Sequence, residues 1–255
     1  GALDGELPFP RFRLHWMVKN IDGVWATAAL SHDDANRRVG RLLAEPILSL
    51  ANDRVLEVLY CECCGTQMLG GFKIDVSSVS GRRYELTSLP PALEGLPETS
   101  PQSRTDAQTY ATLGVIHLLP ARHDDTATNR DDIRWKQGSV ERTANRRPLY
   151  SAWAEWVPAT FDPRTGVVAL GAKSQSEGVI NCLWLHLEAL PDGRPLPAMP
   201  QRCPSCLMDY SERKGGRFSP VRSFATGLNQ ISLLLTKHLM ALLPEGTARR
   251  LVAFG

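Results

Sequence analysis

Cys61-Glu62-Cys63-Cys64-Gly65 near the front of the chain and Cys203-Pro204-Ser205-Cys206 near its end govern the interpretation of this sequence. Each is a CxxC turn able to present two thiolates from one knuckle, and a zinc ion prefers four such donors in a tetrahedron. If Cys61, Cys64, Cys203 and Cys206 hold one ion, residues 65 to 202 form a single excursion between the two knuckles. Four sulfurs leave no open coordination position, so the expected Zn2+ is structural. Gly65 suits a knuckle because it tolerates positive φ. Cys63 is a spare sulfur that its neighbour Cys64 should turn away, and Cys182, in an alternating apolar run, reads as a core thiol.

Composition sets the frame for that reading. The chain has 255 residues, 43% hydrophobic and 22% charged, with a formal net charge of +2. These are ordinary globular values, so bulk charge points to neither nucleic acid nor membrane. No secretory leader is visible, and the cysteine spacing fits a cytosolic metal site better than a disulfide framework. The expected compartment is the cytoplasm. The most apolar stretch, Leu228–Leu243, is broken by Asn229, Gln230, Thr236, Lys237 and His238 and is no membrane span. Gly1-Ala2 reads as a cloning remnant, which would make the chain a cut-out piece.

On either side of the knuckles, short strands dominate. Phe12–Val18, Val24–Leu30, Val55–Tyr60, Tyr110–Leu119, Ser151–Phe161, Val167–Leu170 and Val179–Leu190 carry strand patterns. The first knuckle between Val55–Tyr60 and the run after Met68 gives strand–knuckle–strand, a zinc-ribbon shape. Asp162-Pro163-Arg164-Thr165-Gly166 is a turn. Ser31, Asp33 and Asp34 could cap a short helix carrying Val39, Leu42 and Leu43. Pro90–Arg104 and the polar His123–Asp132 read as loops. After the second knuckle, Phe224, Leu228, Ile231, Leu235, Leu239 and Leu242 repeat at helical spacing, so Arg222–Leu243 is expected to be an amphipathic helix, followed by a strand at Arg250–Phe254. The expected class is α+β: a β-rich zinc-binding module over residues 1–215, then a helix and strand over 216–255.

Other chemistries are fainter. His186-Leu187-Glu188 ahead of Cys203 and Cys206 echoes the H-x-E…P-C-x-x-C pattern of zinc deaminases. That pattern needs a helix where Ile180–Leu190 alternates like a strand, and it leaves Cys61 and Cys64 without a role. Gly166 to Ser174 misses a phosphate loop by one inserted residue, and its glycines flank a strand. Basic pairs occur at Arg37-Arg38, Arg82-Arg83 and Arg146-Arg147, with Arg213, Lys214, Arg217 and Arg222 beyond the second knuckle. Arg146, Arg147, Arg213, Lys214, Arg217 and Arg222 are the candidate nucleic-acid contacts. Trp135, Trp153 and Trp156 could stack on bases, or fill the core.

Several segments, in order, resemble the zinc-containing insert between the RecA-like lobes of large bacterial superfamily 2 (DEAD/DEAH-like) helicases, including those of phage-defence systems such as DISARM. They are residues 19–26 (KNIDGVWA), 38–46 (RVGRLLAEP), 54–61 (RVLEVLYC) with Cys64-Gly65 and Leu69-Gly70-Gly71, then Cys203–Cys206, Ser219-Pro220-Val221-Arg222, Thr226-Gly227 and 250–254 (RLVAF). Where relatives often carry further cysteines, this chain has Thr27 and Ala51-Asn52-Asp53, which argues against a second zinc. The resemblance implies a non-catalytic accessory module of an ATP-driven DNA helicase or translocase, with the ATPase motifs elsewhere in the parent and the final helix and strand beginning its second motor lobe. The implied partners are those motor lobes, DNA and a subunit of an antiviral defence complex, with no membrane. The competing expectations are a pure protein–protein interaction platform and a zinc-dependent hydrolase or deaminase.

Overall fold

The computed structural model describes residues 23–28, 39–79, 81–90, 108–119, 134–138, 150–171, 178–211 and 218–224, all within one compact unit, Asp22–Ala225. Twelve strands run through them: β1 Trp25–Thr27, β2 Leu42–Leu43, β3 Ser49–Leu50, β4 Asp53–Cys61, β5 Gln67–Asp75, β6 Arg83–Thr87, β7 Leu113–Leu118, β8 Arg134–Gly138, β9 Ser151–Phe161, β10 Val167–Leu170, β11 Ile180–Leu187 and β12 Val221–Ser223. Every pairing among them is antiparallel.

Six of these strands close on themselves. The order β5-β6-β10-β9-β11-β7 returns to β5, because the first part of β5, Leu69–Phe72, pairs with Leu113–Ile116 while its last part, Phe72–Asp75, pairs with Tyr84–Thr87. The result is a closed barrel, which leaves those strands without a free edge. Around it β4 continues from β5, β1 and β12 pair with β4, and β8 lies beside the first half of β9.

Period-two alternation sorts adjacent residues into two cores. Leu69, Leu86, Ile116, Phe161, Val168 and Trp184, one from each barrel strand, pack together in the interior. Their sequence neighbours Met68, Val115 and Leu185 face outward, where Leu59, Trp135, Ala154, Trp156, Ala198, Met199 and Cys203 cover them. Strands buried on both faces read as continuous apolar runs, and β7 is buried at all six positions. The outer core supports the knuckles, since Cys61 and Cys203 both belong to it.

The α+β expectation is therefore corrected to all-β: among the described residues every regular element is a strand, and no long amphipathic helix is present. Arg222, expected to open that helix, lies in β12 and pairs with Tyr60. Leu42 and Leu43, expected to end a short helix, form β2 opposite Trp25 and Ala26. Pairing across the sheet overrides helical spacing in both places. The strands expected at 12–18 and 250–254, the rest of both helices, and the 123–132 loop lie outside the described residues. Ser151–Phe161 and Val167–Leu170 form as expected, and the 162–166 turn is closed by Gly166 N–H donating to Asp162 O at 2.8 Å. β3, β6 and β8, too short or too charged to carry a clear pattern, add to the expected strands.

Candidate metal centre

The first knuckle continues β4 directly. Cys61 is the last residue of that strand, and its N–H donates to Thr66 O at 2.9 Å while Gly65 N–H donates to Cys61 O at 2.8 Å. Gly65 sits at φ +74°, so the chain reverses into β5. The second knuckle turns in the same way without a glycine. Cys203 N–H donates to Met208 O at 3.0 Å, and Leu207, which follows Cys206 as Gly65 follows Cys64, sits at φ +60°.

The two turns bring all four expected sulfurs together. Those of Cys61, Cys64, Cys203 and Cys206 lie within 4.8 Å of one another. Cys61 approaches Cys206, and Cys64 approaches Cys203, at 3.8 Å each. A tetrahedron with metal–sulfur bonds of about 2.3 Å has edges of about 3.8 Å, so the group has the dimensions of a four-thiolate site. Disulfide bonding needs about 2.05 Å, and all six cysteines are free. Cys61 and Cys203 are buried, while Cys64 and Cys206 face outward.

Burial pushes the Cys61 thiol up to about 11 and raises Cys203 further. At Cys64 burial acts the same way, yet the Thr66 hydroxyl and N–H, helped by the neighbouring sulfurs, outweigh it and bring the thiol down to about 7. Two buried thiols disfavouring charge on their own are suited to a cation that replaces their protons.

Around the sulfurs is a set of contacts with no signature in the sequence. Tyr210 O–H donates to Glu62 Oε1 at 3.0 Å and lies 3.5 Å from the Cys63 sulfur. Cys63 thus points to Tyr210 and is not one of the four grouped sulfurs. Arg222 Nε donates to Glu62 Oε2 at 3.3 Å, tying β12 to the first knuckle. Behind the second knuckle, Trp156 Nε1–H donates to Arg202 O at 3.2 Å. Gln137, fully buried, donates to Pro197 O and Met199 O and accepts from Trp135 Nε1–H and the Gln201 N–H. Gln201 returns the clasp to both backbone groups of Gly138. These bonds hold the irregular run 197–202 that delivers Cys203.

The remaining candidates separate. Arg222, expected to meet nucleic acid, is engaged by Glu62, and its side chain is only 21% exposed. Arg146, Arg147, Arg213, Lys214 and Arg217 lie outside the described residues. His186 stands on β11, its imidazole pushed down by burial, and is not in the sulfur group; Glu188 pairs with Arg134 at 2.6 Å. The deaminase pattern therefore does not assemble. Among the described residues, Gly166 and Gly171 flank the strand β10. Trp135 and Trp156 are core, 3% and 1% exposed, whereas Trp153 is 42% exposed. Cys182 is buried in the barrel, where burial raises its thiol.

The family comparison covers the region just described. Residues 51–225 match the family described as the YjiV N-terminal domain, 175 of the 255 residues. The chain belongs to that family. The family segment contains both knuckles and ends at the last residue of the compact unit. No curated protein and no solved structure matches significantly. Among the described residues no helix is long and apolar enough to cross a membrane.

Proposed function

We propose that this chain is a non-catalytic accessory module in which a structural Zn2+, held by Cys61, Cys64, Cys203 and Cys206, staples the two ends of the barrel excursion. One observation carries the reading: four sulfurs from knuckles separated by residues 65–202 lie within 4.8 Å of one another. An all-sulfur tetrahedral donor set favours zinc over the harder divalent cations. A closed set leaves no position for a reacting water, so the ion's task is mechanical.

The resemblance to superfamily 2 helicase inserts supplies the context for this reading. The module would be an accessory surface of a DNA helicase or translocase in antiviral defence, contacting nucleic acid while the parent's motor lobes hydrolyse ATP. Elemental analysis of the purified chain tests the metal: one zinc per chain is expected. Cys61→Ser and Cys206→Ser should each lose the zinc and lower the melting temperature. Iron in its place, or both variants keeping full metal content and stability, would overturn the proposal.

A further inference from the structure

Trp153 breaks the rule that the tryptophans of this barrel are covered. Trp135, Trp156 and Trp184 are buried, yet Trp153 is 42% exposed within a paired strand. Two cations stand over the indole: the Arg134 guanidinium lies 4.8 Å and the Lys136 ammonium 5.4 Å from its ring centroid. Register fixes the arrangement. Lys136 stands opposite Trp153 on β8, and Arg134 stands opposite Glu155, which is in turn opposite His186 on β11. Trp153 and Glu155 share a face of β9, the face that carries Phe161 into the barrel interior, so the patch continues the inner surface outward.

We infer that the face formed by Trp153, Arg134 and Lys136 is a stacking platform for single-stranded nucleic acid. The ring surface that the two cations leave exposed can stack on any base, and the same cations lie within reach of the neighbouring phosphates. Arg134 is held by Glu188 at 2.6 Å, with both side chains about half exposed. A solvated pair of this kind contributes little to stability, so a phosphate can take the guanidinium from the carboxylate. Stacking engages the face of a base and ignores its edges, so the platform should favour unpaired strands without reading sequence. Double helix hides the base faces and should bind more weakly.

This inference rests on the nucleic-acid part of the function proposed above and gives it a location. The test is binding of oligothymidylate, by fluorescence anisotropy at low salt, to the intact chain and to Trp153→Ala, Trp153→Phe, Lys136→Gln and Glu188→Gln. Trp153→Ala should weaken binding about tenfold, while Trp153→Phe keeps most of the affinity because a ring remains to stack. Lys136→Gln should lower the salt slope by about 0.7, one phosphate contact on a single strand. Glu188→Gln should tighten binding, since it releases Arg134. Zinc content and the circular dichroism of the sheet should be unchanged in all four. If the chain binds oligothymidylate and Trp153→Ala binds equally well, the platform is wrong and the nucleic-acid reading survives. If duplex of the same length binds more tightly than the single strand, the platform is likewise wrong. If the chain binds neither, the nucleic-acid reading falls with it and a protein partner takes its place.

Discussion

Two knuckles, each closed by a bond from the first cysteine's N–H to the carbonyl five residues on, place different residues after the second cysteine, Gly65 against Leu207, and both occupy the left-handed region. No atom lies within 4 Å of a Cβ added at Gly65, so Gly65→Ala should suffer only the backbone penalty, about 1 kcal/mol in denaturant unfolding, with zinc retained. Leu207 already bears that strain. Leu207→Gly should therefore be close to neutral, the relief offset by the greater freedom of glycine in the unfolded chain. Lys73 presents a different balance. Its ammonium sits over the rings of Tyr110 and Tyr84, 3.8 Å and 5.2 Å from their centroids, and donates to Tyr110 O. Burial brings it down to about 8 from 10.5, with Asp75 opposing the fall. Between those values the unfolded chain binds more protons than the folded one, so stability should rise with pH across that window. The rise should shrink in Lys73→Met, read as the difference between the pH–stability profiles of parent and variant.

Among the strands and the segments that join them, close approach and buried amides fix what hydrophobic pattern leaves open. The Trp184 ring lies against Gly114 of β7, so close that an added Cβ would stand 2.4 Å from Cη2. Gly114→Ala must displace that ring, on which Tyr84 stacks at 5.1 Å, and should cost about 2 kcal/mol or more in unfolding experiments. The Gln137–Gln201 clasp works on the segment that carries Cys203. Gln137→Leu strands the carbonyls of Pro197 and Met199, and about 3 kcal/mol of destabilisation should follow, accompanied by weaker zinc retention against a chelator. Neither Gln137 nor Gln201 stands out in the sequence, because an amide becomes structural only when distant carbonyls converge on it. The knuckles were legible beforehand for the opposite reason: CxxC encodes its own local turn. The apparent helix start at Arg222 was misleading because three residues there are claimed by the edge of β4.

Taken as a whole, the compact unit combines a closed barrel with a separate group of four cysteines. The interior core of Leu69, Leu86, Ile116, Phe161, Val168 and Trp184 includes none of the four grouped cysteines, whereas Cys61 and Cys203 belong to the outer core. Chelation should therefore loosen the molecule unevenly. Hydrogen exchange should quicken in residues 61–66, 197–211 and 218–223, while β7, β9 and β11 keep their protection. Uniform loss of protection would show instead that the fold depends on the ion throughout. Spacing along the chain was enough to find the four grouped cysteines, the ribbon-like turn of the first knuckle and most of the long strands, because each depends on residues only a few positions apart. It could not reveal that the strands close into a barrel, that Arg222 serves Glu62, or that Trp153 alone among the tryptophans of β8, β9 and β11 is left exposed. Those outcomes depend on which strand lies beside which, and pairing between distant segments is set by the packing of both faces together.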